Sequence, residues 1–150
     1  MQIDTKVAKE LYDGAPKWFQ EKLEEEFGKD SFKKIHFTDI KTFEDACASL
    51  GLSTDNELFS LSDSPDIIAY KKLVIIVRAI NQGWVPDWND SAQKKWWPWF
   101  LLSSGFGFGD STYYCAYTYA GAGSRLCFES KDKADYCAKQ FLEIYKQFIL

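Results

Sequence analysis

Five of the six tryptophans of this chain fall between residues 84 and 99, in Trp84-Val85-Pro86-Asp87-Trp88 and Trp96-Trp97-Pro98-Trp99-Phe100. Indole rings stack on bases and sugars, and Lys94 and Lys95, which stand before the second group, could meet phosphates. The segment therefore holds the parts of a platform for a glycan or a single strand. Burial is the competing use, because each indole removes a large apolar area from water and this stretch must join a helix to a sheet. We expect most of the rings to be packed, with one or two left open. Any contact face would draw on Trp84, Asp87, Trp88, Lys94, Lys95, Trp96, Trp97 and Arg125.

Other constellations are weaker. Asp87, Asn89 and Ser91 alternate like the opening of a calcium loop, but Ala92 stands where the glycine is needed and Pro98 where the bidentate glutamate is needed. Asx turns account for that stretch. Ser104-Gly105-Phe106-Gly107-Phe108-Gly109-Asp110 alternates glycine with phenylalanine and, if extended, leaves one face bare, a furrow that a ring or another backbone could approach. A strand follows it, not a helix, so it is no phosphate loop; a bulged or bent strand junction is expected. Cys47, Cys115, Cys127 and Cys137 show no Cys-x-x-Cys spacing and His36 is the sole imidazole, so neither a metal site nor a cofactor is expected. His36 has no recognisable nucleophile partner, and Glu44 with Asp45, or Asp87 with Asp90, are pairs that charged turns produce without catalysis.

The 150 residues suit one domain, 1–150, with one core. With 18 basic and 22 acidic residues, a net charge of −4 supplies no field that draws nucleic acid, and Arg78 and Arg125 are the only guanidinium groups. The longest apolar run, Leu73–Val77, is far short of the roughly 20 residues that cross a bilayer. The first residues carry no basic start and no apolar stretch, which predicts a cytoplasmic protein with reduced thiols.

These residues must be held by helices and a small sheet. Asp4 or Thr5 caps a helix ending at Asp13-Gly14, and Pro16 opens another whose Phe19, Leu23 and Phe27 share a face until Gly28. Thr42-Phe43-Glu44-Asp45 resembles a capping box and starts a short helix that Gly51 stops. Residues 52–64 read as a loop with a turn at Glu57-Leu58-Phe59. Ser64-Pro65-Asp66 starts a helix running to Gln82, hydroxyl-capped and nearly apolar all round, hence central. Pro98–Ser104, Thr112–Thr118 and Arg125–Glu129 read as three antiparallel strands, with Ala120–Gly123 turning between the last two. Along the third, Leu126 and Phe128 would face one way, and Arg125, Cys127 and Glu129 the other. Ser130 and Asp132 open one final helix, with Ala134, Cys137, Ala138, Phe141, Tyr145 and Phe148 as its buried stripe.

Four motifs taken together, Ala79-Ile80-Asn81-Gln82-Gly83-Trp84-Val85-Pro86-Asp87-Trp88, Lys95–Phe100, Ser104–Phe108 and Gly123–Phe128, lead into Tyr136 and Gln140-Phe141. In these the chain resembles a family of small uncharacterised proteins of gut Bacteroidetes and their bacteriophages; Thr42–Leu50 shares the likeness. The resemblance implies a phage or mobile-element setting and brings no activity or catalytic residue with it.

The sequence thus predicts an α+β domain whose central and C-terminal helices pack on a sheet of about three strands, with the N-terminal helices added around them. The function expected is a non-catalytic binding module with an aromatic contact surface for a protein or phage component. Two alternatives stand beside it: a single-stranded nucleic-acid-associated protein of phage replication or recombination using Lys94 and Lys95, which charge does not favour, and a small hydrolase with convergent carboxylates in a cleft.

Overall fold

A computed structural model describes residues 4–32, 35–54, 58–102, 105–115 and 124–150. The chain divides into two compact units, residues 1–35 and 36–150. In the first, Asp4 caps α1 (Thr5–Tyr12) by accepting from the Val7 amide at 2.8 Å. Next, α2 (Lys17–Phe27) follows Pro16 and ends at Gly28, whose φ of 82° and N–H to Glu24 O close the last turn. Phe32 stacks on Tyr12 at 4.3 Å and meets Phe27 edge-on, while the Tyr12 hydroxyl donates to the Glu24 carboxylate. The small unit is therefore held by an aromatic cluster at the ends of its helices.

The second unit opens with a 3₁₀ turn, Phe37–Asp39, which His36 caps through its ring nitrogen. The capping box predicted at Thr42 is formed: Thr42 Oγ1 accepts from the Asp45 amide, and the Asp45 carboxylate accepts from the amides of Thr42 and Lys41, starting α3 (Phe43–Ser49). The central helix, α4, spans Pro65–Asn81, one residue short of the expected end, because Gln82 already takes a left-handed conformation. Its start differs from the expectation in one detail. The Ser64 side chain does not cap the backbone but donates to the Asp66 carboxylate. Leu73, Ile75, Ile76, Val77, Ala79 and Ile80 are all buried, so α4 is enclosed on most sides.

Two strands, β1 (Lys95–Leu101) and β2 (Gly107–Tyr114), pair antiparallel with Trp97 opposite Thr112 and Trp99 opposite Asp110. The register then slips, so that Phe100 meets Phe108 and Gly109 is the extra residue of a bulge, as the glycine alternation led us to expect. The predicted ends of the first two strands at 103–104 and 116–118, the 120–123 turn and part of the 57–59 turn lie outside the described residues.

Three expectations are corrected. Arg125–Glu129 is not a strand: Ser124–Leu126 coil into a 3₁₀ turn, and only Phe128 bridges, to Trp96. That turn abolishes the alternation, so Leu126, Cys127 and Phe128 are all buried, with Arg125 and Glu129 exposed at either end. The last helix is two helices, α5 (Lys131–Gln140) and α6 (Leu142–Ile149), broken at Phe141 by a ψ of 30°. No proline or glycine marks that break. It lets α5 lie against both strands while α6 turns onto α4, with Phe141 buried at the corner. Consequently α5, not α4, covers the sheet, and α4 packs against α3, α5, α6 and the 124–126 turn. The mixed α+β class stands. Among the described residues, no helix is long and apolar enough to cross a membrane.

The join between these layers is polar and specific. Buried Asn81, at the end of α4, donates to Cys127 O at 2.9 Å and accepts from the Glu129 amide at 3.2 Å. It thus fixes the stretch that bridges to β1, satisfying backbone groups that the missing strand would otherwise have paired.

Candidate functional site

The two adjacent lysines have opposite fates. Lys95 is fully buried, and its ammonium donates to three carbonyl oxygens, Asp90 O and Gln93 O at 3.0 Å and Cys115 O at 2.9 Å, with the Trp88 ring 5.2 Å away. Three donors meet three acceptors, so the charge is solvated by the protein and ties the 88–93 loop to the strand pair. Lys94 stays exposed, its ammonium 4.4 Å from the centre of the Tyr113 ring. The expectation that both could meet phosphates is corrected for Lys95: no donor is left to offer.

The tryptophans divide similarly. Trp97 is buried between Trp88 and Tyr114, and its indole N–H has no acceptor among the described residues. It is core, not contact surface. Trp84, Trp88 and Trp96 are half-buried: the Trp84 amide closes onto Asn81 O, and Trp96 leans on Tyr113 at 4.8 Å. Asp87 forms the anticipated Asx turn, accepting from the Asn89 amide at 2.9 Å, and Asp90 does the same for Ala92. Arg125 is exposed and has no ion pair among the described residues.

The most open ring of the cluster lies outside the contact face that the sequence predicts. Trp99 is 46% exposed, and its underside rests on the bare backbone of Gly109. The furrow expected in the glycine–phenylalanine run therefore exists, and Trp99 fills it. The clue lay in the alternation of Lys95, Trp97 and Trp99 on one face; the pairing that brings Gly109 beneath the ring was not readable locally.

Beside Trp99 lies an apolar groove of about 210 Å³, lined by Trp97, Pro98, Trp99, Phe100, Leu102, Leu126, Tyr145, Phe148 and Ile149. One wall is the edge of β1 and another is α6. Trp96 exchanges both backbone hydrogen bonds with Phe128 at 2.9 and 2.8 Å. Alternation along a strand then turns the backbone groups of Pro98 and Phe100 to the same outer edge. Because the chain before Phe128 coils into the 124–126 turn, no strand among the described residues continues that pairing.

Among the described residues, no carboxylate, histidine or cysteine lines the groove. The carboxylates whose ionisation is favoured, Asp45, Asp63, Asp66 and Asp110, are each held down by local hydrogen bonds, to backbone amides and Thr42 or to Lys71, Ser64 and Lys131 respectively. The Cys137 and Cys127 thiols are pushed up by burial to about 12 and about 11, so neither offers a ready thiolate. His36 spends its ring nitrogen on the 3₁₀ turn. Among the described residues, no group of three or more His, Cys, Asp or Glu could hold a metal ion. The arrangement can bind apolar matter; among the described residues, the groove gathers no acid, base and nucleophile around one point. No family model, curated protein or solved structure matches the chain.

Proposed function

We propose that this chain is a non-catalytic binding module, of phage or mobile-element origin as the motif resemblance suggests, that holds a protein partner against the groove between β1 and α6. One observation carries the reading. Trp99, Leu102 and Ile149, at 46%, 57% and 40% exposure, open large apolar side chains to solvent around a concave apolar site. Exposed apolar groups that gather at a concavity mark a contact surface, whereas scattered ones do not.

The test is co-purification from cells that carry the gene in its native setting, comparing the natural chain with Leu102→Glu and with Lys9→Ala, the latter in the first unit. A partner retained by the natural chain and by Lys9→Ala but lost from Leu102→Glu supports the reading. Retention that is indifferent to Leu102 overturns it. The single-strand alternative draws on Lys94, Tyr113 and Trp96, where the Lys94 ammonium lies over the Tyr113 ring and Trp96 leans against it at a tilt. Quenching of tryptophan fluorescence by oligothymidylate, weakening steeply with salt, would favour it instead.

A further inference from the structure

The groove is bounded by a strand edge as well as by side chains, and that narrows what can fill it. Pro98 has no N–H to offer but keeps its carbonyl, while Phe100 presents both an N–H and a carbonyl on the outer edge of β1. Phe128 already uses this edge one step earlier, at Trp96, so an added chain would extend an existing ladder. Tyr145, Phe148 and Ile149 of α6 supply an apolar wall, and Leu126 and Leu102 complete the lining. A strand edge beside an apolar helix wall suits an extended chain: main-chain pairing on one side, alternate side chains buried on the other.

The charges next to the lining residues have a sign. Arg125 directly precedes Leu126 of the lining, and Lys146 stands beside the Tyr145–Phe148–Ile149 stripe. Both are exposed, and neither has an ion pair among the described residues. On α6, Glu143 falls on the opposite side of the helix from that stripe, at about 100° per residue. Asp110 and Asp135, in β2 and α5, are engaged by Lys131. Arg125 and Lys146 therefore set two unpaired positive charges next to lining residues along the chain, in a protein whose net charge is −4.

Resting on the binding reading above, we infer that the groove takes one extended apolar segment of a partner protein, added as a strand to the Pro98–Leu102 edge and flanked by acidic residues. Pro98 limits the pairing to a short stretch about Phe100, so the segment is read mainly by side chains on either side of one hydrogen-bonded residue. The proline also blunts the edge against indiscriminate pairing.

The experiment is selection from a displayed library of random nine-residue peptides against the full chain, followed by binding of the enriched peptides in solution. We expect alternating apolar positions with at least one Asp or Glu, and a downfield shift of the Phe100 amide proton on binding. Binding should weaken at least tenfold with Leu102→Glu and several-fold with Arg125→Glu. An N-methyl group on the peptide residue facing Phe100 should also cost at least tenfold. No enrichment overturns the inference. So does enrichment of peptides indifferent to N-methylation, or of helix-forming ones, and both of these leave the binding reading intact if Leu102→Glu still releases the partner. A concentration-dependent dimer abolished by Leu102→Glu would place a second copy in the groove and equally overturn it.

Discussion

Trp99 lies so close over Gly109 that a Cβ built at residue 109 would stand 2.6 Å from Cζ3 of the indole. The bulge that inserts Gly109 beside the Trp99–Asp110 pair, and the missing side chain that lets the ring settle there, act together. The ring is pinned from below and open above, which presents it beside the groove in one orientation and lowers the entropy lost when a partner covers it.

Gly109→Ala is expected to lift that ring and to destabilise the protein by about 1–3 kcal/mol, the range for overpacking a close contact. The cost should largely vanish in a Trp99→Ala background. A double-mutant cycle by urea denaturation reads the coupling, and additivity would mean that the two residues do not press on each other.

Lys95→Met should cost about 2–4 kcal/mol, because three buried carbonyl oxygens lose a charged donor. Lys94→Met, one residue earlier and exposed, should fall within about 0.5 kcal/mol of the natural chain. Equilibrium unfolding of the two variants side by side tests the assignment, since composition and charge change identically in both.

Hydrogen bonds from the Lys41 amide, and from the side chain and amide of Thr42, hold the Asp45 carboxyl below its ordinary value. A depressed folded value stabilises the folded state above the unfolded value of about 3.9, and this contribution is lost as pH falls through the folded value. Between pH 7 and pH 3, Asp45→Asn should therefore lose less stability than the natural chain. Thr42→Ala should cost about 1 kcal/mol at neutral pH through the same cap.

Cys47, Cys127 and Cys137 are buried, and burial raises all three thiols, the last two to about 11 and about 12. Cys115 is half-buried. Titration with an aromatic disulfide reagent at pH 8 should modify Cys115 first and the other three only on the timescale of unfolding, with all four reacting in guanidinium. Rapid modification of Cys137 in the folded protein would contradict its placement in the core.

What the residues determined alone is what short-range chemistry dictates. Asp4 and Thr42 cap their helices because an oxygen acceptor two or three residues ahead of free amides is a local arrangement, and Gly28 closes α2 because its φ of 82° disfavours side chains. The apolar girth of Leu73–Ile80 fixed α4 as central, and the bare face of the Gly105–Gly109 run announced that something would lie upon it. Tertiary structure decided everything that depends on strand register and on which layer covers which face. Lys94 and Lys95 are the same residue type in the same segment; only the arrival of Asp90, Gln93 and Cys115 carbonyls buries one and frees the other. Trp97 and Trp99 share a face of β1, yet Trp88 packs on the first, while the second rests on Gly109 and stays 46% exposed. The break at Phe141 carries no helix-stopping residue. It exists because α5 must cover the strands and α6 must reach α4, and a demand between distant elements leaves no mark at the position that yields to it.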